Sequence, residues 1–234
     1  AFALLAGPVL AADTNPPPVL KAPPTGYPAT TGYGPYIGLG TFVQTSQSSI
    51  DVSGATANLY SAGAAIEALA GYQYKLPGLG MGFTEVGVNY TNLGGSTACV
   101  AGACSIAGAW GFTIGTAAQF DWTYPFQYLP AWSTLFGNAS PSNLLPSGLI
   151  PKASVPYVGL WGDINQMNAN VGGVGTTNWQ IAFAPGIGLL NYLPNGLVLD
   201  TRVKYEFADS TFSIGNAGAA KKGNTLWLEA VFKY

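Results

Sequence analysis

From residue 34 onward the chain alternates large apolar with small or polar side chains at a period of two, the spacing that puts successive side chains on opposite faces of a β-strand. Over residues 34–44, Ile37, Leu39 and Val43 share one face, with Tyr36, Gly38, Gly40 and Gln44 on the other. Residues 63–75 set Ile66, Tyr72 and Tyr74 against Glu67, Gly71, Gln73 and Lys75. A third run sets Val86, Val88 and Tyr90 against Glu85, Gly87 and Asn89. The fourth sets Trp110, Phe112, Ile114, Trp122 and Tyr124 against Gly111, Thr113, Gly115 and Asp121. A fifth lies near residues 155–164, and a sixth over 178–192 carries Trp179, Ile181, Phe183 and Ile187, with Pro185 expected to force a bulge. The seventh separates Leu199, Val203, Tyr205 and Phe207 from Asp200, Arg202, Lys204 and Glu206. The eighth separates Leu226, Leu228, Ala230, Phe232 and Tyr234 from Trp227, Glu229, Val231 and Lys233.

Eight such strands predict an all-β fold, and the pattern alone fits either a closed antiparallel transmembrane barrel or a soluble β-sandwich. Composition separates the two. Of 234 residues 48% are hydrophobic and only 8% charged, where a soluble domain carries about a quarter charged. Beyond the first dozen residues the chain has no apolar run of the roughly 20 residues that a membrane helix needs. A barrel with an apolar exterior and a polar lumen accounts for both facts. Aromatic positions agree: from Trp110 to Trp122, a strand tilted about 45° rises roughly 28 Å, the height of a barrel's apolar band. Tyr72, Tyr74, Trp122, Tyr124 and Tyr234 then fall at one membrane interface, and Tyr90, Trp110, Trp179 and Phe207 at the other. The turns at 76–80 and 193–196 are short, while 91–105, 165–177 and 209–223 are expected as surface loops at the opposite end.

Eight strands leave an interior that side chains just fill. Glu67, Glu85, Asp121, Asp200, Arg202, Lys204, Glu206, Glu229 and Lys233 all lie on the face opposite the large apolar residues. They are expected to form a charged network that plugs the lumen and leaves no wide water channel.

The chain has no histidine, which removes His-based triads, His metal sites and imidazole acid–base chemistry. No cofactor and no catalytic residue are expected. A net charge of -2 with only eight Lys and Arg gives no basic stripe for nucleic acid. Cys99 and Cys104 are expected to form a disulfide in a surface loop. The run from Gly172 to Gly175 lacks a phosphate-loop spacing and reads as a flexible segment.

Residues 1–12 read as the remnant of a secretory signal, or as a retained apolar arm, and the Pro-rich residues 13–33 as a periplasmic linker before a barrel over 34–234. Residues 125–152 stand where a short turn is expected and include Trp132, Leu135, Leu144 and Leu145. They are read either as a docking segment joining copies into an oligomer or array, or as chain folded under the barrel or supplying extra strand residues.

Several segments resemble the small outer-membrane barrels of the OmpA-like and opacity group of alphaproteobacteria. They are the run from Val19 to Pro24, the strand opening from Gly34 to Gly38, the run Gly71-Tyr72-Gln73-Tyr74 and the run from Val203 to Phe207. The end of the chain, with Leu226, Leu228, Ala230, Phe232 and a terminal aromatic Tyr234, resembles the signal read by the β-barrel assembly machinery. The resemblance implies outer-membrane localisation, transient contact with that machinery, a role in envelope integrity or surface contact or in slow solute diffusion, and no catalytic residues. Lys221 and Lys222 read either as contacts for lipopolysaccharide phosphates or as part of a plain solvated loop, and the loop is the preferred reading. Four functions stay open: a structural or surface barrel, a small-solute porin, an outer-membrane enzyme using carboxylates such as Asp200 or Glu206, and a secreted sandwich.

Overall fold

The structure is a computed structural model that describes residues 34–76, 80–119, 146–151, 153–208 and 210–234. Among the described residues ten strands form one antiparallel sheet: β1 (Gly34–Val52), β2 (Ala55–Leu76), β3 (Gly80–Thr91), β4 (Gly94–Cys99), β5 (Gly102–Gln119), β6 (Ala153–Val171), β7 (Val174–Tyr192), β8 (Val198–Glu206), β9 (Ser210–Ser213) and β10 (Ala219–Lys233). Eight of them close a ring in the order β1-β2-β3-β5-β6-β7-β8-β10, because β1 pairs with β2 on one side and β10 on the other. The seam runs from Gly38↔Lys233 to Asp51↔Ala219, and Ile37 and Tyr234 exchange two further backbone hydrogen bonds of 3.1 and 2.9 Å. Closure pairs β1 with β10 and so removes the two free edges that an open sheet of these strands would have; in hydrocarbon each exposed backbone group would cost several kcal/mol.

β4 and β9 prolong β3 and β8 beyond short breaks: β4 pairs with β5, and β9 with β10. The eight predicted strands are therefore present, but they run on much further than expected. Residues 91–105, 165–177 and 209–223, expected as surface loops, are largely strand. Their connections are tight turns at the tips. Ser53 and Gly54 have φ of 50° and 84°, and Gly172 and Gly173 have 56° and 93°, which matches the two-residue turns that suit the right-handed twist of hairpins. The glycine pair is thus a hairpin turn and not a flexible segment.

Pro185 raises no bulge. β7 keeps its register with β6 through Leu160↔Pro185. On the β8 side the ladder lapses between Gly186↔Lys204 and the bridge Phe183↔Phe207, where proline has no N–H to give. Bulges stand instead in β5 between Gly108 and Gly111 opposite β6, and at the β1–β10 seam between Ser46 and Ser48. The signal remnant, the linker, Asp121, Trp122, Tyr124 and residues 125–145 lie outside the described residues; of the segment read as a docking element, a 3₁₀ turn at Ser147–Leu149 is described.

Candidate functional site in the barrel lumen and outer wall

Thirteen charged side chains fall among the described residues, and ten are buried inside the ring: Glu67, Glu85, Asp163, Asp200, Arg202, Lys204, Glu206, Lys222, Glu229 and Lys233. Asp51, Lys75 and Lys221 are the three that stay exposed. The outer wall carries the apolar residues instead, with Leu39 70%, Ile114 65%, Ile181 77% and Phe112 51% exposed. Water would not cover such a wall without a large penalty, so a closed barrel of this kind spans a membrane.

Polarity inverts along single strands with no change of phase. On β6 the outward residues pass from Val158, Leu160 and Ile164 to Gln166, Asn168 and Asn170, while the inward ones pass from Asp163 and Asn165 to Met167, Ala169 and Val171. On β1 the outward Ile37, Leu39 and Val43 give way to Gln47 and Asp51, and the inward Gln44, Ser46 and Ser48 to Ile50 and Val52. The surroundings of the wall therefore change from acyl chain to water near the level of Trp179, which pairs with Gln166. Trp110 and Tyr90 are register partners with ring centroids 5.0 Å apart, and both are exposed with Trp179 and Phe207. At the opposite end, Tyr72 and Tyr234 are exposed and Tyr74 half-buried. Tyr and Trp favour such levels because one end of each side chain is apolar and the other wet. Leu226, Leu228 and Phe232 project from the wall, and Ala230 is half-buried.

Inside, the predicted charges meet across the ring. Arg202 is the hub: it contacts Glu85, Asp200 at 3.3 Å and Glu229 at 3.1 Å. Lys204 reaches Glu229 at 3.3 Å, and Lys233 bridges Asp200 at 2.8 Å and Glu85 at 3.1 Å. Glu206 is held by Lys222 at 2.6 Å and by the Asn165 amide at 3.2 Å. The preferred reading of Lys222 as a solvated loop residue is thus corrected: it lies on the inward phase of β10, while Lys221 faces out. Lys75 shares the lumen phase but stands exposed near the end of β2. Glu67, the last of the predicted charges among the described residues, is buried opposite Glu229.

Three rings that were not among the candidate residues complete this layer. Trp161 donates its indole N–H to Glu85 at 2.9 Å, Tyr36 donates its hydroxyl to Glu85 at 2.9 Å, and Tyr157 donates to Asp200 at 2.6 Å. Each packs closely against a glycine. A Cβ on Gly115 would stand 2.0 Å from Trp161, one on Gly188 2.2 Å from Tyr157, and one on Gly71 2.3 Å from Tyr36. The signal available in the sequence was an inward-phase glycine beside an inward-phase ring, and it becomes specific only once the register is known.

Two apolar clusters flank the charged layer. Phe83, Val155, Tyr157, Trp161, Leu190 and Tyr192 fill the end that holds the chain terminus. Ile50, Leu59, Leu93, Ile106, Met167 and Ile214 fill the far end, together with Cys104. Cys99 and Cys104 are joined by a disulfide across the β4–β5 hairpin, so that bond belongs to the far cluster and not to a loop. Among the described residues no group of three or more His, Cys, Asp or Glu is placed to hold a metal.

Among solved structures, the chain is similar to the neisserial surface protein A at 15% identity and TM-score 0.41, covering 83% of this chain and 95% of that one. It is also similar to the attachment invasion locus protein Ail of Yersinia pestis, solved with the heparin analogue sucrose octasulfate, at 11% identity and TM-score 0.37, covering 87% of this chain and 99% of that one. A third similarity is to the N-terminal β-barrel domain of Pseudomonas aeruginosa OprF at 11% identity and TM-score 0.33, covering 83% and 97% of the two chains. No family model and no curated protein matches the chain.

Proposed function

We propose that this protein is a bacterial outer-membrane barrel with a structural or surface role in the cell envelope, its lumen closed by the charged layer and the two apolar clusters. The observation that carries this reading is the burial of ten of thirteen described charges inside a wall whose exterior is apolar. A porin places water along its axis; here Arg202 of β8 and Lys233 of β10 both reach across it to Glu85 of β3. Buried pairs of this kind gain little net stability against apolar packing. Their use is that they fill the lumen and fix which strands face one another.

In the same reading the protein has no catalytic activity, since Glu85, Asp200, Glu206 and Glu229 are engaged by Arg202, Lys204, Lys222 and Lys233. Its partners are outer-membrane lipid, lipopolysaccharide at the level of Tyr90, Trp110 and Trp179, and transiently the assembly machinery through the terminal Phe232 and Tyr234. Membership of the opacity group and association of copies through residues 125–152 belong to the same proposal. Reconstitution into planar bilayers tests it. The expected trace is flat at any voltage the membrane withstands, and a large steady conductance per barrel would replace this reading with passive diffusion of small solutes.

A further inference from the structure

Between the charged layer and the far apolar cluster lies a set of polar side chains that the ion pairs do not use. Asn89, Gly111, Asn165 and Gln180 are register partners in sequence across β3, β5, β6 and β7, so they form one inward row. Asp163 stands two residues below Asn165 on the same face of β6. Asn89 and Gln180 are each 2% exposed, Asn165 6% and Asp163 0%. Both side-chain atoms of Asn89, both of Gln180 and Oδ2 of Asp163 are buried with no hydrogen-bond partner among the described residues. Burying such groups without a partner is costly, because each has given up its bonds to water.

The row is built around an absent side chain. The point where a Gly111 Cβ would sit is 2.5 Å from Asn165 Oδ1 and 2.6 Å from Asn89 Oδ1. Asn89 Nδ2 lies 2.8 Å from the same point, so glycine is what leaves room for the two amide side chains. Asn165 is oriented by its other atom, because its amide nitrogen donates to Glu206 at 3.2 Å, while Oδ1 stands over Gly111.

Charge points the same way. Six carboxyl groups and four basic side chains of the described residues face the lumen. Asp163 accepts from Thr113 but has no basic side chain within ion-pair distance among the described residues, and Lys204, which acts on it electrostatically, is engaged by Glu229 at 3.3 Å. One carboxylate with several amide oxygens is the ligand chemistry of a hard divalent cation, and calcium tolerates the irregular geometry and longer distances that such a set gives.

We propose that the barrel encloses a calcium ion, bound by Asp163 together with the side-chain oxygens of Asn89, Asn165 and Gln180. On β6 the site lies between Trp161 of one apolar cluster and Met167 of the other, so the ion is captured as the barrel folds and exchanges slowly afterwards. This proposal depends on the closed lumen, which the conductance measurement tests separately.

The test is to fold the full chain into detergent micelles with calcium or with chelator, remove unbound ion by gel filtration, and measure metal content. The expected result is one calcium per barrel, retained when chelator is added to folded protein and released when the protein is unfolded in chelator. Asp163→Asn and Gly111→Ala, checked for folding by the gel shift on heating, are expected to lower calcium content at least tenfold. Should either fail to fold, Asn89→Leu serves in its place, and the wild-type stoichiometry stands as a measurement by itself. Calcium at background in the wild type, calcium lost at once to chelator from the folded barrel, retention of only sodium or magnesium, or a content unchanged in the folded variants would each overturn the proposal. The first of these outcomes would mean that water alone serves the amides.

Discussion

At the scale of single residues, the lumen is ordered by pairs of a large ring and a glycine. Gly115 admits Trp161, whose N–H reaches Glu85. Replacing Gly115 with Val would drive the indole off the wall and loosen Glu85 from its partners. The expected loss is roughly 1–3 kcal/mol, typical of overpacking in a filled interior, read from urea unfolding in lipid vesicles. Arg202 stands differently, because three carboxylates converge on it. Arg202→Met leaves those acids buried without their hub, and about 3–5 kcal/mol of stability should be lost, whereas Arg202→Met combined with Glu85→Gln and Glu229→Gln should recover part of it. A triple variant no more stable than the single one would show that the network is not coupled in this way.

Strands carry the next level of the argument. Ile114 faces outward from β5 between Val86 and Gly162 on its neighbours, within the apolar part of the wall. Ile114→Lys should destabilise the barrel in vesicles by about 2–4 kcal/mol, while a lysine at Asn168, higher on the wall and facing water, should have little effect. Equal effects at both positions would contradict the boundary drawn at Trp179. The β4–β5 hairpin is held by the Cys99–Cys104 disulfide and by the far cluster. Replacing both cysteines with serine should raise amide hydrogen exchange in β4 and the start of β5 and leave β7 and β8 unchanged, since the closed loop is short and the bond is local.

For the whole molecule, closure of β1 on β10 is the decisive event. A closed barrel keeps its compact shape in detergent until it is heated, so unheated and heated samples should run at different positions on a gel. Identical mobility before and after heating would reject the barrel.

The predicted strands were legible because a membrane enforces a simple rule, apolar outward and polar inward, and a period of two makes any departure visible. That rule read β8 correctly from Asp200, Arg202, Lys204 and Glu206 alone. It failed above Trp179, where water replaces lipid and the same phase must be read the other way. Met167, Val171 and Ile214 then look like apolar residues scattered in polar loops, although they face one core. Lys222 was misjudged for the same reason, since a lysine in a polar stretch looks solvated until its phase along β10 is known.

Local alternation, the scarcity of charge and the lack of histidine were enough to determine the class of fold and to exclude much chemistry, because each depends only on neighbours in the chain or on counts. Partner choice is different. That Arg202 meets Glu85 from 117 positions away, or that Asn89 and Asn165 flank Gly111, depends on register and strand order around a closed ring, and only the tertiary structure decides those.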